Sequence, residues 1–165
     1  MPTPDAQFSE RNQFVWYVKQ FLLTPYSWAG DDPMGGVDCS GLVVEGFKSI
    51  GWFYENEDKS ADGFYVHFSD QIIQKSAIKP GCLAVWIDKT GDRAGQATHI
   101  AIFINRQQII HSSGGGSSTD TLPEAIQKNA YMKIRLFEKE VLWRQARQTY
   151  KLIDPFKKKE EEANG

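Results

Sequence analysis

Cysteine and histidine are scarce in this 165-residue chain, which has two of the first (Cys39 and Cys82) and three of the second (His67, His99 and His111). Two cysteines are too few for the disulfide framework of a small secreted scaffold. Their separations from one another and from the histidines match none of the close C-x2-4-C or H-x3-5-H pairs of structural zinc sites, so neither a metal nor a cofactor is expected. An excess of one charge is also missing, with 19 basic against 21 acidic residues and a net charge of −2. Without a basic stripe there is no electrostatic footprint for nucleic acid. Long apolar runs are absent as well, and the start, Met1 to Gln7, has no basic segment followed by an apolar core. Neither a membrane span nor a secretion signal is expected.

What is present suits one folded unit. A 41% hydrophobic and 13% aromatic composition in this length predicts a single domain over residues 1–154, with residues 155–165, rich in lysine and glutamate, as a solvated, disordered tail. Residues 8–22 read as a helix with Phe14, Val15, Val18, Phe21 and Leu22 inward. Strands are expected at 83–87, 98–104, 108–112 and 132–137, a short helix within 70–77 and a final helix over 138–150. The aromatic residues between Trp52 and Phe68 read as core or as a cleft wall. The glycine-rich run 112–118 lacks the lysine and following helix of a phosphate-binding loop and reads as a plain loop.

The segment Val37-Asp38-Cys39-Ser40-Gly41-Leu42-Val43 places a thiol where a helix should begin. Leu42, Val43, Phe47 and Ile50 recur at helical spacing, and Asp38 is a good N-cap, so a helix over about 39–50 starts at Cys39. The positive end of its dipole then falls on the thiol, whose pKa in such settings drops from about 8.5 to between about 3.5 and 7.5. A thiolate at neutral pH is the expectation.

The histidines complete the pattern. Thr98 to Ile104 and Gln108 to Ser112 read as a β-hairpin in which Ile100, Ile102 and Ile104 share one face and His99, Ala101 and Phe103 the other. A three-residue loop, 105–107, pairs 104 with 108 and 101 with 111, which puts His99 and His111 on one face as diagonal neighbours. A thiol at a helix start, a strand histidine and a third polar group that orients it are the parts of nucleophilic acyl transfer. Cys39, His99 and His111 fit these roles in order, with helix-start amides available to an oxyanion. His67 reads as surface or structural, and Cys82 as a buried structural thiol.

Pro25-Tyr26-Ser27-Trp28-Ala29-Gly30, Asp38-Cys39-Ser40-Gly41-Leu42-Val43, Pro80-Gly81, Thr98-His99-Ile100-Ala101-Ile102-Phe103-Ile104 and Ile110-His111-Ser112 occur in that order. Over about residues 10–140 the chain thus resembles the NlpC/P60 family of papain-like cysteine peptidases. The resemblance implies an α+β papain-like domain, with the nucleophile helix packed on an antiparallel sheet. It also implies hydrolysis of bacterial cell-wall peptides, typically between γ-D-glutamate and a diamino acid, through a thioester on Cys39. By position His99 is the base and His111 the orienting residue. Tyr26 and Trp28 would contact substrate, and Asp38 and Ser40 would hold a free N-terminal amine. Ala29 and Cys82 depart from the family's pattern, standing where glycine and aspartate are common. The implied partner is a peptidoglycan stem peptide or muropeptide, met in the cytoplasm or reached by delivery on a phage-type particle. Two further readings stay open: a papain-like thiol amidase or acyltransferase with a non-wall substrate, and a catalytically silent binding module of a phage-type particle.

Overall fold

The computed structural model describes residues 9–25, 31–32, 36–113, 121–128 and 130–164. Helix α1 (Glu10–Lys19) is capped by Ser9, whose hydroxyl accepts the Asn12 amide, and buries Phe14, Val15 and Val18. It ends three residues earlier than the apolar spacing predicts. The chain turns through residues 20–23, so Phe21 is buried but Leu22 is 43% exposed, contrary to its expected inward placement. A short pair of strands, β1 (Asp31–Asp32) and β2 (Gly36–Val37), leads into α2 (Cys39–Ser49), which has the predicted start. The helices α1 and α2 approach closely at Gly46, where a Cβ would stand 2.5 Å from the Phe14 ring. Beside it the rings of Phe14 and Phe47 pack at 4.7 Å. Helix α3 (Ala61–His67) adds Phe64 to the same core. Phe53, Phe64 and Phe68 also gather around Phe47, which decides the core reading for these rings, while Tyr54 is exposed.

Six antiparallel strands make the sheet: β3 (Ile72–Ile73), β4 (Leu83–Asp88), β5 (Ala97–Phe103), β6 (Gln108–Ser113), β7 (Tyr131–Leu136) and β8 (Gln148–Ile153), in the order β3-β8-β4-β5-β6-β7. The expected alternation of β5 is present. Ile100 and Ile102 join Leu83, Val85 and Ile110 in the core that holds α1 and α2, while Ala101 and Phe103 join Trp86, Ile109 and Phe137 on the other face. Phe137 opens α5 (Phe137–Arg144), the helix covering that second face. A six-residue helix, α4 (Leu122–Gln127), precedes β7. The α+β class and antiparallel sheet predicted from the resemblance are those of the structure.

Three expectations fail. The final helix stops at Arg144, and residues 148–153 form β8, which is hydrogen-bonded along the length of β4 from Leu83↔Ile153 to Asp88↔Gln148. The β-formers Thr149, Tyr150 and Ile153 gain more from a central sheet position than from extending an exposed helix. Residues 70–77 hold β3 and a 3-10 turn (Lys75–Ala77) instead of an α-helix. The C-terminal residues are mostly exposed, as expected, but they are folded rather than disordered. Phe156 is 2% exposed in the main core, and Lys157–Asn164 form a helix, α6. Its Glu160 reaches Arg11, and Lys159 lies over the Trp52 ring. The lysine and glutamate run is a good helix former, and the buried Arg11 supplies a tertiary partner that composition does not reveal. No helix among the described residues is long and apolar enough to cross a membrane.

Candidate active site

Cys39 occupies the first turn of α2, as its sequence context predicts. Asp38 is the N-cap: its Oδ1 accepts the Gly41 amide at 2.6 Å and the Ser40 hydroxyl at 3.3 Å. This cap fixes the helix start against the sheet. The backbone amides of Ile100 and Ser40 act on the Cys39 sulfur and favour its thiolate, so the thiol lies near the residue that follows His99.

That amide is available because β5 and β6 part company. Their ladder comprises Phe103↔Ile109 and Ile102↔Ile110, continued at the turn by Ile104 N–H to Gln108 O at 3.0 Å. Even-numbered amides of β5 therefore point toward β6, and the amide of Ile100, beyond the last pair, is left to act on the Cys39 sulfur. Across the same opening His99 Nε2 and His111 Nδ1 meet at 2.8 Å. The observed pairs, Ile102↔Ile110 and Phe103↔Ile109, have the register that the three-residue loop predicts.

Several contacts fix His99. A β-bulge between Trp86 and Ile87 sets His99 opposite Trp86 and Ala97 opposite Ile87, with the Trp86 and His99 rings 5.5 Å apart. The Ala97 amide donates to Asp62 of α3 at 2.9 Å, and the Thr98 hydroxyl to Asp88 at 2.6 Å. His99 is 8% exposed and His111 is fully buried. The hydrogen bond uses His99 Nε2, which leaves Nδ1 as the ring nitrogen open to chemistry.

The electrostatics overturn one expectation. Burial pushes the Cys39 thiol up to about 11, and the neighbouring Asp38 carboxylate adds to the rise. The amides of Ile100 and Ser40 and the charge of Arg144 oppose this without cancelling it. The cap that builds the helix start thus brings a negative charge beside the sulfur, and desolvation outweighs the dipole. Burial likewise holds His99 well below 6.5, helped by Arg144 and by His111. For His111 burial, then Arg144, Arg135 and Lys133, lower the value to about 3. These shifts favour a neutral thiol at Cys39 and a neutral pair of imidazoles at His99 and His111.

The other predicted residues separate. Tyr26 and Trp28 lie outside the described residues, as does most of the glycine-rich loop. His67 is exposed and sits edge-on to Phe68, and Cys82 is a fully buried free thiol in the second core. Sequence reasoning missed Trp86, Glu140, Arg144 and Gln148, which surround the histidine pair. Glu140 Oε1 lies 3.7 Å from His111 Nε2, and Arg144 places its guanidinium 5.3 Å from the Trp86 ring centre. The one available signal was the spacing of Glu140 and Arg144, an i,i+4 acid and base pair on a helix, which does not say what the pair faces.

Residues 23–136 match the NlpC/P60 family. The chain belongs to the NlpC/P60 family. Among curated relatives of this NlpC/P60 chain, the murein DD-endopeptidase MepH of Escherichia coli K12 is 32% identical over 100 residues, which are 60% of this chain and 35% of that protein. The gamma-D-glutamyl-L-lysine dipeptidyl-peptidase of Bacillus cereus is 29% identical over 125 residues, 74% of this chain and 33% of that protein. The NlpC/p60 domain of the peptidoglycan hydrolase SagA shares the fold, with a TM-score of 0.55 at 20% identity over 86% of this chain and 96% of that domain. The chain spans about a third of the length of these curated relatives.

Proposed function

We propose that this NlpC/P60 chain is a cysteine peptidase of bacterial cell-wall stem peptides, cleaving between γ-D-glutamate and the diamino acid. The observation that carries the reading is the His99 to His111 hydrogen bond of 2.8 Å, formed next to Ile100, whose backbone amide favours the Cys39 thiolate. Relatives named for murein and γ-D-glutamyl-L-lysine peptidase activities support the substrate class.

Because both partners rest neutral, the proton leaves Cys39 as the bond to substrate forms. His99 Nδ1 takes the thiol proton while the sulfur attacks the γ-glutamyl carbonyl carbon. The oxyanion that results is stabilised by backbone amide at the start of α2. Collapse breaks the C–N bond, His99 returns the proton to the departing amine, and a thioester remains on Cys39. Water, deprotonated by His99, then attacks the thioester and releases the free carboxylate and the thiol. His111 holds the His99 ring in orientation through Nε2. By the family resemblance Asp38 and Ser40, on either side of Cys39, receive a free N-terminal amine, and Tyr26 and Trp28 are further substrate contacts.

The test is mass spectrometry of products after wild type and Cys39→Ala are incubated with defined stem peptides, free and attached to the disaccharide. Cleavage after γ-D-glutamate by wild type and not by Cys39→Ala is expected. A different scissile bond would overturn the stated specificity. No cleavage of any stem peptide by wild type would move the assignment to another acyl substrate if a Cys39 thioester forms with other acyl donors, and to a binding module if none forms.

A further inference from the structure

Among the described residues His111 Nε2 is a fully buried ring nitrogen with no hydrogen-bond partner, and Glu140 of α5 holds its Oε1 3.7 Å away, while the cations Arg144, Arg135 and Lys133 also act on the ring. That separation is beyond a hydrogen bond and leaves a charge to dipole contact inside the protein. Glu140 is not free to turn away. Its Oε2 accepts from Arg144 Nε at 3.0 Å, and Arg144 Nη1 donates to Gln148 Oε1 at 3.1 Å. Gln148 is tied in turn to Asp88 and to Thr98, the residue before His99.

The 2.8 Å contact between the two imidazoles can be made in two ways. In one, His99 Nε2–H donates to a bare His111 Nδ1. In the other, His111 Nδ1–H donates to a bare His99 Nε2, and the proton of neutral His99 must then sit on Nδ1. The two arrangements are equal as hydrogen bonds and opposite as chemistry. The first presents a lone pair at His99 Nδ1; the second presents a proton there and supplies no base. The contact between the rings cannot choose between them.

A carboxylate only accepts. Facing His111 Nε2, it favours a proton on that nitrogen and repels a lone pair, which leaves Nδ1 bare and selects the first arrangement. We propose that Glu140 is a positioning residue that sets the tautomer of His111 and, through the shared hydrogen bond, that of His99. The inference rests on the peptidase reading for its consequence, since it explains why the open nitrogen of His99 is unprotonated. Its structural half stands independently of any activity.

The experiment is nitrogen-15 NMR of the histidine side chains in the full chain, for wild type, Glu140→Gln and Glu140→Leu, with hydrolysis kinetics alongside. In wild type both rings carry the proton on Nε2. In Glu140→Leu the opposite tautomers become populated, and kcat falls on the order of tenfold with KM unchanged, part of the 10²- to 10⁴-fold that a positioned base supplies. Glu140→Gln keeps the shape and an oxygen, and it falls between. Wild-type protonation of His111 on Nδ1 overturns the proposal, as do unchanged tautomers in both variants. Should Glu140→Leu not fold, the tautomer ratio of Glu140→Gln decides, with no shift counting against. A wild-type protein that cleaves no stem peptide would sink the peptidase reading while the tautomer result still judged Glu140.

Discussion

Arg11 and His111 are both buried polar side chains, at 8% and 0% exposure, yet their surroundings differ in how completely each is satisfied. Every guanidinium nitrogen of Arg11 has an acceptor: Nη1 bonds Pro80 O, Nη2 both oxygens of Asp154 and one of Glu160, and Nε the other oxygen of Glu160. Phe156 lies beneath, its ring centre 5.0 Å from the guanidinium carbon. This network joins α1 to the segment after β8, and nothing in it is left to react. The histidine network is neutral, open at His99 Nδ1 and short of a bond at His111 Nε2. A saturated charged cluster locks elements together, whereas an incompletely satisfied neutral one is poised to move a proton.

The largest effects should come from removing the reactive members. Replacing His99 with Ala is expected to lower kcat on the order of 10³-fold, the scale of a lost general base, and His111→Ala only about 10- to 100-fold, since water can partly substitute for an orienting ring. Steady-state kinetics on the preferred stem peptide give the ranking. Equal losses would mean that His111 does more than orient.

Breaking the saturated cluster should instead cost stability. In Arg11→Leu the Asp154 carboxylate, 4% exposed, loses its cation, and an uncompensated buried charge costs about 3–5 kcal/mol. Urea unfolding should show that drop while kcat of the folded fraction stays at the wild-type value. A change in kcat would show that the two networks are coupled.

Titration separates the two regions further. His99 and His111 ionise at 6.5 when unfolded and lower when folded, His111 at about 3. Below pH 6.5 the unfolded chain therefore binds more protons, and stability declines as pH falls toward 3. The thiols of Cys39 and Cys82 are raised from 9.0 to about 11, so above pH 9 the unfolded chain releases protons first and stability declines again. A plateau between these limits is expected, each group contributing at most about 1.4 kcal/mol per pH unit on its slope. Urea midpoints across pH should show that His111→Asn shallows the acid limb; an unchanged limb would mean that the ring is not held neutral by burial.

The smallest effect belongs to the rim of the Arg11 cluster. The Glu160 side chain is 43% exposed, and solvent screening limits Glu160→Gln to about 0.5–1 kcal/mol. A loss as large as that of Arg11→Leu in the same unfolding assay would mean that α6 as a whole depends on this carboxylate.

Much of the site was legible because its parts are local. Asp38 caps the helix that Leu42, Val43 and Phe47 predict, and the loop of 105–107 fixes the parity that puts two histidines on one face. The parts that escaped are tertiary. Thr149 and Tyr150 fall at the end of the expected helix and become part of a strand because β4 and β3 offer two edges to pair with. The lysine and glutamate run after Phe156 reads as tail until Arg11, far away in sequence, offers a partner.

By itself, then, the sequence determined which histidines meet and where the thiol sits: a two-residue period on β5 and β6 brings His99 to His111, and a capped helix start gives Cys39 the first turn of α2. The tertiary structure alone decided their protonation, because desolvation and the charges of Asp38 and Arg144 act through space. The same holds for the environment of His111, since a carboxylate on α5 reaches it only once that helix is laid across the second face of the sheet.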